Sequence, residues 1–106
     1  MIVTPGATVA GFRVKQTLGL VRGNTIRARH MGKDIMAGLK SIIGGEIEEY
    51  TKMMAESREQ SIDRMVAEAK GLGADAILDV RFGTSYLMGS AAEILVFGNA
   101  VVLEQT

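Results

Sequence analysis

The sequence predicts an α+β domain of two layers, with one long helix packed on an antiparallel sheet in β-α-β-β order. Three observations predict it: helical periodicity from Glu46 to Leu72, two long strand-like segments after that run, and an alternating segment before it.

Ile2-Val3-Thr4 reads as a short strand ended by the turn signal Pro5-Gly6. From Phe12 to Val21, Phe12, Val14, Gln16, Leu18 and Leu20 fall on one side and Arg13, Lys15, Thr17 and Gly19 on the other. Gln16 apart, this is the period-2 pattern of a strand with one buried face. Gly23-Asn24 reads as a turn. Thr25 to Arg29 is a short edge strand or an ordered loop, closed by Gly32.

The period changes at Asp34. Ile35, Met36, Leu39, Ile42 and Ile43 recur at helical spacing, and Asp34 suits the positive end of the helix dipole. Gly44-Gly45 ends or kinks this first helix, because two glycines cost about 2 kcal/mol relative to alanine in a helix interior. Glu46 restarts it with the acidic first turn of Glu46, Glu48 and Glu49. On a helical wheel Ile47, Met54, Ile62, Met65, Ala69 and Leu72 share one stripe, with Tyr50 at its border and Arg58 inside it. Glu48, Lys52, Glu56, Glu59, Asp63 and Lys70 lie opposite, and Gly71-Leu72-Gly73 supplies the stop. Such a helix is a rod of about 40 Å, which only long strands can cover.

Those strands are Ala76 to Tyr86 and Ala92 to Glu104, joined at Met88-Gly89-Ser90 as an antiparallel hairpin. A register centred near Leu87 sets Val80 against Ile94, Leu78 against Val96, Phe82 against Ala92 and Arg81 against Glu93. One face is then wholly apolar and takes the helix. The other mixes Ile77, Leu95, Phe97, Val101 and Leu103 with Asp79, Arg81, Glu93 and Asn99. One helix layer covers one side of a sheet, yet both sides call for burial. Self-assembly is therefore expected, with the sheets of several subunits packing together; the alternative is that the N-terminal segment folds back over the second face.

Composition limits the function. The chain of 106 residues fits one domain, 1–106, and its 47% apolar and 23% charged residues are those of a globular protein. Twelve basic and twelve acidic residues cancel, and there is no Trp, so neither nucleic acid nor an anionic membrane is an expected partner. No stretch approaches the roughly 20 apolar residues of a membrane span, and the N-terminus lacks the pattern of a signal peptide. A cytoplasmic protein is expected. The absence of cysteine removes disulfides, thiolate nucleophiles and thiolate metal sites together. No nucleophile elbow, phosphate loop or carboxylate dyad is present, and an enzyme is not expected.

Gly44-Gly45-Glu46 with Tyr50-Thr51, Ser57-Arg58 through Arg64-Met65, and Gly73-Ala74-Asp75-Ala76-Ile77 through Val80-Arg81-Phe82 form a recognisable set. Ala92-Glu93-Ile94-Leu95, Gly98-Asn99-Ala100-Val101 and Leu18-Gly19-Leu20-Val21-Arg22-Gly23 complete it. In this combination and order the sequence resembles the YbjQ-like family over nearly its whole length. The resemblance implies a dodecin-like subunit fold assembled into homo-oligomeric rings, typically pentamers. It also implies the family's designation, "putative heavy-metal-binding". The chain departs from the family's usual pattern at Asp79, Phe97 and Asn99.

Among candidate ligands, soft metals prefer thiolate, of which there is none. His30, between Arg29 and Met31, reads as a solvated loop side chain. Met36, Met53, Met54 and Met65 read as core filling, and Glu46, Glu48 and Glu49 as helix-dipole partners. A metal site within one chain is not expected. The cofactor is left unknown, with a metal ion held between subunits as the candidate. Arg58, in the apolar stripe, is expected to meet a carboxylate or carbonyls, either as an interface salt bridge or as an anion site. Arg58, Glu46, Tyr50, Asp79, Arg81 and Glu93 form the candidate polar cluster.

Overall fold

In a computed structural model of the chain, residues 1–28, 45–87 and 91–106 are described. The expected helix from Asp34, the turn at Met88-Gly89-Ser90 and His30 lie outside them. The elements are β1 (Ile2–Val3), β2 (Phe12–Ala28), α1 (Gly45–Gly71), β3 (Ala76–Leu87) and β4 (Ala91–Gln105). They form one helix on a four-stranded sheet of order β1-β3-β4-β2. The three long strands are antiparallel, as expected, and the short parallel pairing of Ile2 with Ala76 and Val3 with Ile77 makes the sheet mixed.

β2 corrects the sequence reading. Gly23-Asn24 is not a turn: the strand runs unbroken through it for 17 residues, and Thr25 to Ala28 continue the same ladder against β4. Gly23 is there for clearance. A β-carbon on it would stand 2.0 Å from the Ser61 carbonyl oxygen and 2.5 Å from the Met65 nitrogen, so the backbone of α1 rests directly on this strand. The phase of β2 also departs from simple alternation. Register shifts between Val14 and Gln16 and between Thr17 and Gly19 reset it, the second beside Gly19 at φ 118°. Leu18 consequently packs toward the helix-side core while Leu20 lies exposed.

The helix meets the sheet along Ser57, Ser61, Met65 and Ala69, every fourth residue, all fully buried. Small side chains on this line let the two backbones approach. Each serine is satisfied locally: Ser57 Oγ donates to the Met53 carbonyl at 2.9 Å, and Ser61 Oγ lies 2.9 Å from the Ser57 carbonyl and 3.1 Å from that of Ile94. The buried Thr25 hydroxyl joins them, 3.1 Å from Ser61 Oγ and 3.2 Å from the Ser57 carbonyl. Met54, Ile62 and Val66 flank this line, half-buried, and Leu72 is exposed beyond the helix end. That end is a Schellman-type stop: Ala74 N–H reaches the Ala69 carbonyl, Gly73 N–H the Lys70 carbonyl, and Gly73 takes φ 84°.

The hairpin forms, in a register four residues from the expected one. Leu87 pairs with Ala91, Phe82 with Val96 and Thr84 with Ile94. Arg81 therefore lies opposite Phe97 and Glu93 opposite Ser85, so the expected Arg81–Glu93 pair does not form. A bulge between Leu78 and Arg81 makes a second correction. Asp79, at φ 54°, is the extra residue. Everything before it is inverted: Ile77 joins Val80, Val21, Met65 and Val96 in the helix-side core, whereas Leu78 joins Ala76 and Val101 on the opposite face. Gly98 makes room on the helix side, since a β-carbon there would stand 2.6 Å from Ile77 Cγ2.

Residues 4–11 form a strap from the β1 edge to the start of β2. Asp79 N–H donates to the Gly6 carbonyl, Val80 N–H to the Thr4 carbonyl and Arg81 Nη1 to the Pro5 carbonyl, so the strap is stapled to the bulge. Val9 then packs on Ala76, Leu78 and Val101. The alternative expectation, that the N-terminal segment folds back over the second face, holds over part of it: that segment covers one end, and no described residue covers the other.

Candidate functional site

The uncovered part of the second face is ordered by the strand register into rows that cross β2, β4 and β3 in turn. Leu20, Asn99 and Leu78 form one, Arg22, Phe97 and Arg81 the next, then Asn24, Leu95 and Gly83, and finally Ile26, Glu93 and Ser85. Leu20 is 59% exposed and Ile26 58%, while Leu95 and Phe97 are half-buried by their cross-strand neighbours. Phe97 has an arginine opposite it on either side. Arg81 is held by its bonds to the Pro5 and Val80 carbonyls, 2.9 Å each, whereas Arg22 is exposed. Glu93 accepts a hydrogen bond from Asn24 Nδ2 at 3.1 Å. The surface is amphipathic, with aliphatic and aromatic groups separated by guanidinium and amide groups. Such a mixture suits contact with another protein surface.

Within one chain Arg58 does not meet Asp79, Arg81 or Glu93, and the side chains of Glu46 and Tyr50 lie outside the described ones. Arg81 and Glu93 share this face two rows apart, and Asp79 sits in the bulge beside Arg81. Arg58 is exposed on α1, on the other side of the sheet. Its burial in the apolar stripe is corrected for a geometric reason. The helix touches the sheet along a line of every fourth residue, which leaves position 58 about 90° to the side. Glu46 and Tyr50 lie in the first turns of the helix. Sequence reasoning missed the buried Thr25–Ser57–Ser61 set because serine and threonine on their own do not signal burial. The i, i+4 spacing of two serines in line with Met65 and Ala69 was the available sign.

A metal has little to bind within one chain. Among the described residues no three of His, Cys, Asp or Glu are grouped to hold an ion. Met65 is fully buried in the core, and the chain has no thiolate. The described donors of a single chain do not fit a soft metal. No described helix is long and apolar enough to cross a membrane.

The sequence model of the YbjQ family, described as "Putative heavy-metal-binding", matches residues 1–104. The chain belongs to this family. It is 58% identical over 104 residues to a UPF0145 protein of Dehalococcoides mccartyi, covering 98% of this chain and 100% of that one. A UPF0145 protein of Methanosarcina acetivorans is 54% identical over 101 residues, covering 95% of each chain. One from Thermus thermophilus is 51% identical over 104 residues, covering 98% of this chain and 91% of that one. Among solved structures, a DUF74-family protein of unknown function from Pediococcus pentosaceus superposes with a TM-score of 0.65, covering 98% of both chains at 14% identity. That likeness establishes the shared fold.

Proposed function

We propose that this YbjQ-family chain is a self-assembling binding protein, not an enzyme, whose ligand site is completed only where copies meet. The observation that carries the reading is the half of the second face that no described residue covers, with Leu20 and Ile26 exposed beside Leu95 and Phe97. Large apolar side chains exposed on one face with polar groups between them suit an interaction site. A closed ring is the assembly this reading adopts, with a pentamer as the size that the family resemblance implies. Since one chain's described donors make no metal site, this reading places any metal where symmetry repeats a donor around the axis.

Native mass spectrometry and light scattering of protein purified without a metal-affinity tag test the reading. A homo-oligomer of defined size is expected, and Ile26→Glu combined with Phe97→Glu should yield folded monomers. An adduct removed by chelator would assign a metal, and an organic adduct a small molecule. A folded wild-type monomer without adduct would reject the proposal.

A further inference from the structure

The two outer parts of the sheet carry an inference about how copies join. β2 forms one edge of the sheet. Its first half is unsuited to a new strand partner, because two register shifts distort it between Val14 and Gly19. From Gly19 to Ala28 its pairing with β4 is regular, and among the described residues nothing pairs with its outer side. β3 has the complementary arrangement. Its first half is occupied on the outside by β1 and by the strap bonded to Asp79, Val80 and Arg81. From Phe82 to Leu87 no described strand lies outside it. The two open lengths stand at the same level: Phe82 and Gly23 both pair with Val96, Thr84 and Thr25 with Ile94, and Ser85 and Ile26 with Glu93. Both strands are antiparallel to β4, so the two open edges run in the same direction.

The helix layer is offset in the matching sense. α1 lies over β2 and β4 and scarcely touches β3. Arg64 Nη1 reaches the Asn24 carbonyl at 2.6 Å on the β2 side, and Phe82, on the helix side of β3, is left 51% exposed. A repeat of β3, β4 and β2 is about 14 Å wide at the usual strand spacing, whereas packed helices lie roughly 8–10 Å apart. Copies joined side by side would therefore leave a gap above β3 of about one side chain's width, and Phe82 stands in it.

We infer that the outer edge of β2, from Gly19 to Ala28, receives Phe82–Leu87 of β3 from a second copy of this chain as a parallel strand, with Phe82 filling the gap between successive helices. The contact uses two different edges, so each copy keeps one of each open and the arrangement propagates until it closes into a ring. This inference rests on the assembly proposed above and specifies its joint.

The chain has no cysteine, so introduced thiols report cleanly. Ile26→Cys and Ser85→Cys are both exposed, on the same face and at the same level. With a short bis-maleimide, the double variant should give a ladder of covalent multimers on a denaturing gel, and either single variant alone should stay monomeric there. Mixing the two single variants under conditions of subunit exchange should give covalent dimers and no higher species. Separately, Phe82→Glu should shift the native mass toward monomer while circular dichroism stays unchanged. A covalent dimer from Ile26→Cys alone would overturn the inference, because β2 would then be paired with itself. Ile26 and Ser85 of one chain flank the same Glu93 about 10 Å apart, within reach of the linker. The mixed single variants therefore decide: an intact, exchanging oligomer that gives no covalent dimer from them would overturn the joint while leaving assembly standing. A wild-type monomer would overturn both.

Discussion

Gly23 and Ser61 are the point at which strand and helix backbones meet: a β-carbon on Gly23 would stand 2.0 Å from the Ser61 carbonyl oxygen. Gly23→Ala must therefore push α1 off the sheet or bend β2. Overpacking a closed core costs typically 1–3 kcal/mol and more where backbone must move, so a loss of at least about 3 kcal/mol is expected in urea unfolding. Gly19→Ala is the control. Its β-carbon would have open space, and the cost is the strain at φ 118°, about 1–2 kcal/mol. Equal losses at the two positions would show that clearance is not the role of Gly23.

The hydroxyl set beneath the helix makes a second prediction. Ser61 Oγ lies within hydrogen-bond distance of Thr25 Oγ1 and of the Ser57 and Ile94 carbonyls, and Thr25, Ser57 and Ser61 are all buried. Ser61→Ala and Thr25→Val should each cost about 1–3 kcal/mol, because each leaves buried polar partners less well satisfied. The double variant should cost less than the sum of the two, the shortfall being the coupling between neighbours in one network. Strict additivity would mean that the two hydroxyls do not interact.

Asp79 carries the bulge at φ 54°, a conformation that aspartate tolerates better than most residues and β-branched residues poorly. Asp79→Gly should stay within about 0.5 kcal/mol of the parent, with relief of strain offset by the entropy of glycine in the unfolded chain. Asp79→Val should cost about 2 kcal/mol. It should also loosen the strap, whose Gly6 carbonyl accepts from Asp79 N–H, and proteolysis near residues 4–11 would report that loosening.

These three sites also show what the sequence could reveal. The bounds of α1 were legible to within one residue, the end because Gly71-Leu72-Gly73 stops a helix and the beginning because Glu46 follows Gly44-Gly45, which reads equally as an end or a kink of the helix before it. The strands of the hairpin were legible too. Their register was not, since Ala76, Ile77 and Leu78 are all apolar and carry no phase to betray a bulge at Asp79. Gly23-Asn24 reads the same in a turn as under a closely packed helix. The two-faced demand of β3 and β4 was visible in their composition, but which part the N-terminal strap would cover depends on Val9, a residue without a periodic signal.

Arg58 gives the last prediction, and it reverses the sequence-based expectation. In the wheel the side chain falls among Met54, Ile62 and Met65, but the helix contacts the sheet along Ser57, Ser61, Met65 and Ala69, and Arg58 is exposed. An exposed arginine away from a cap or network contributes little, so Arg58→Ala should change the unfolding free energy of the isolated chain by no more than about 0.5 kcal/mol. Measured at protein concentrations low enough for any oligomer to dissociate, the midpoint should match the parent's. A difference that grows with protein concentration would place Arg58 at a contact between copies. A loss of several kcal/mol at every concentration would show that its side chain is buried within the subunit after all.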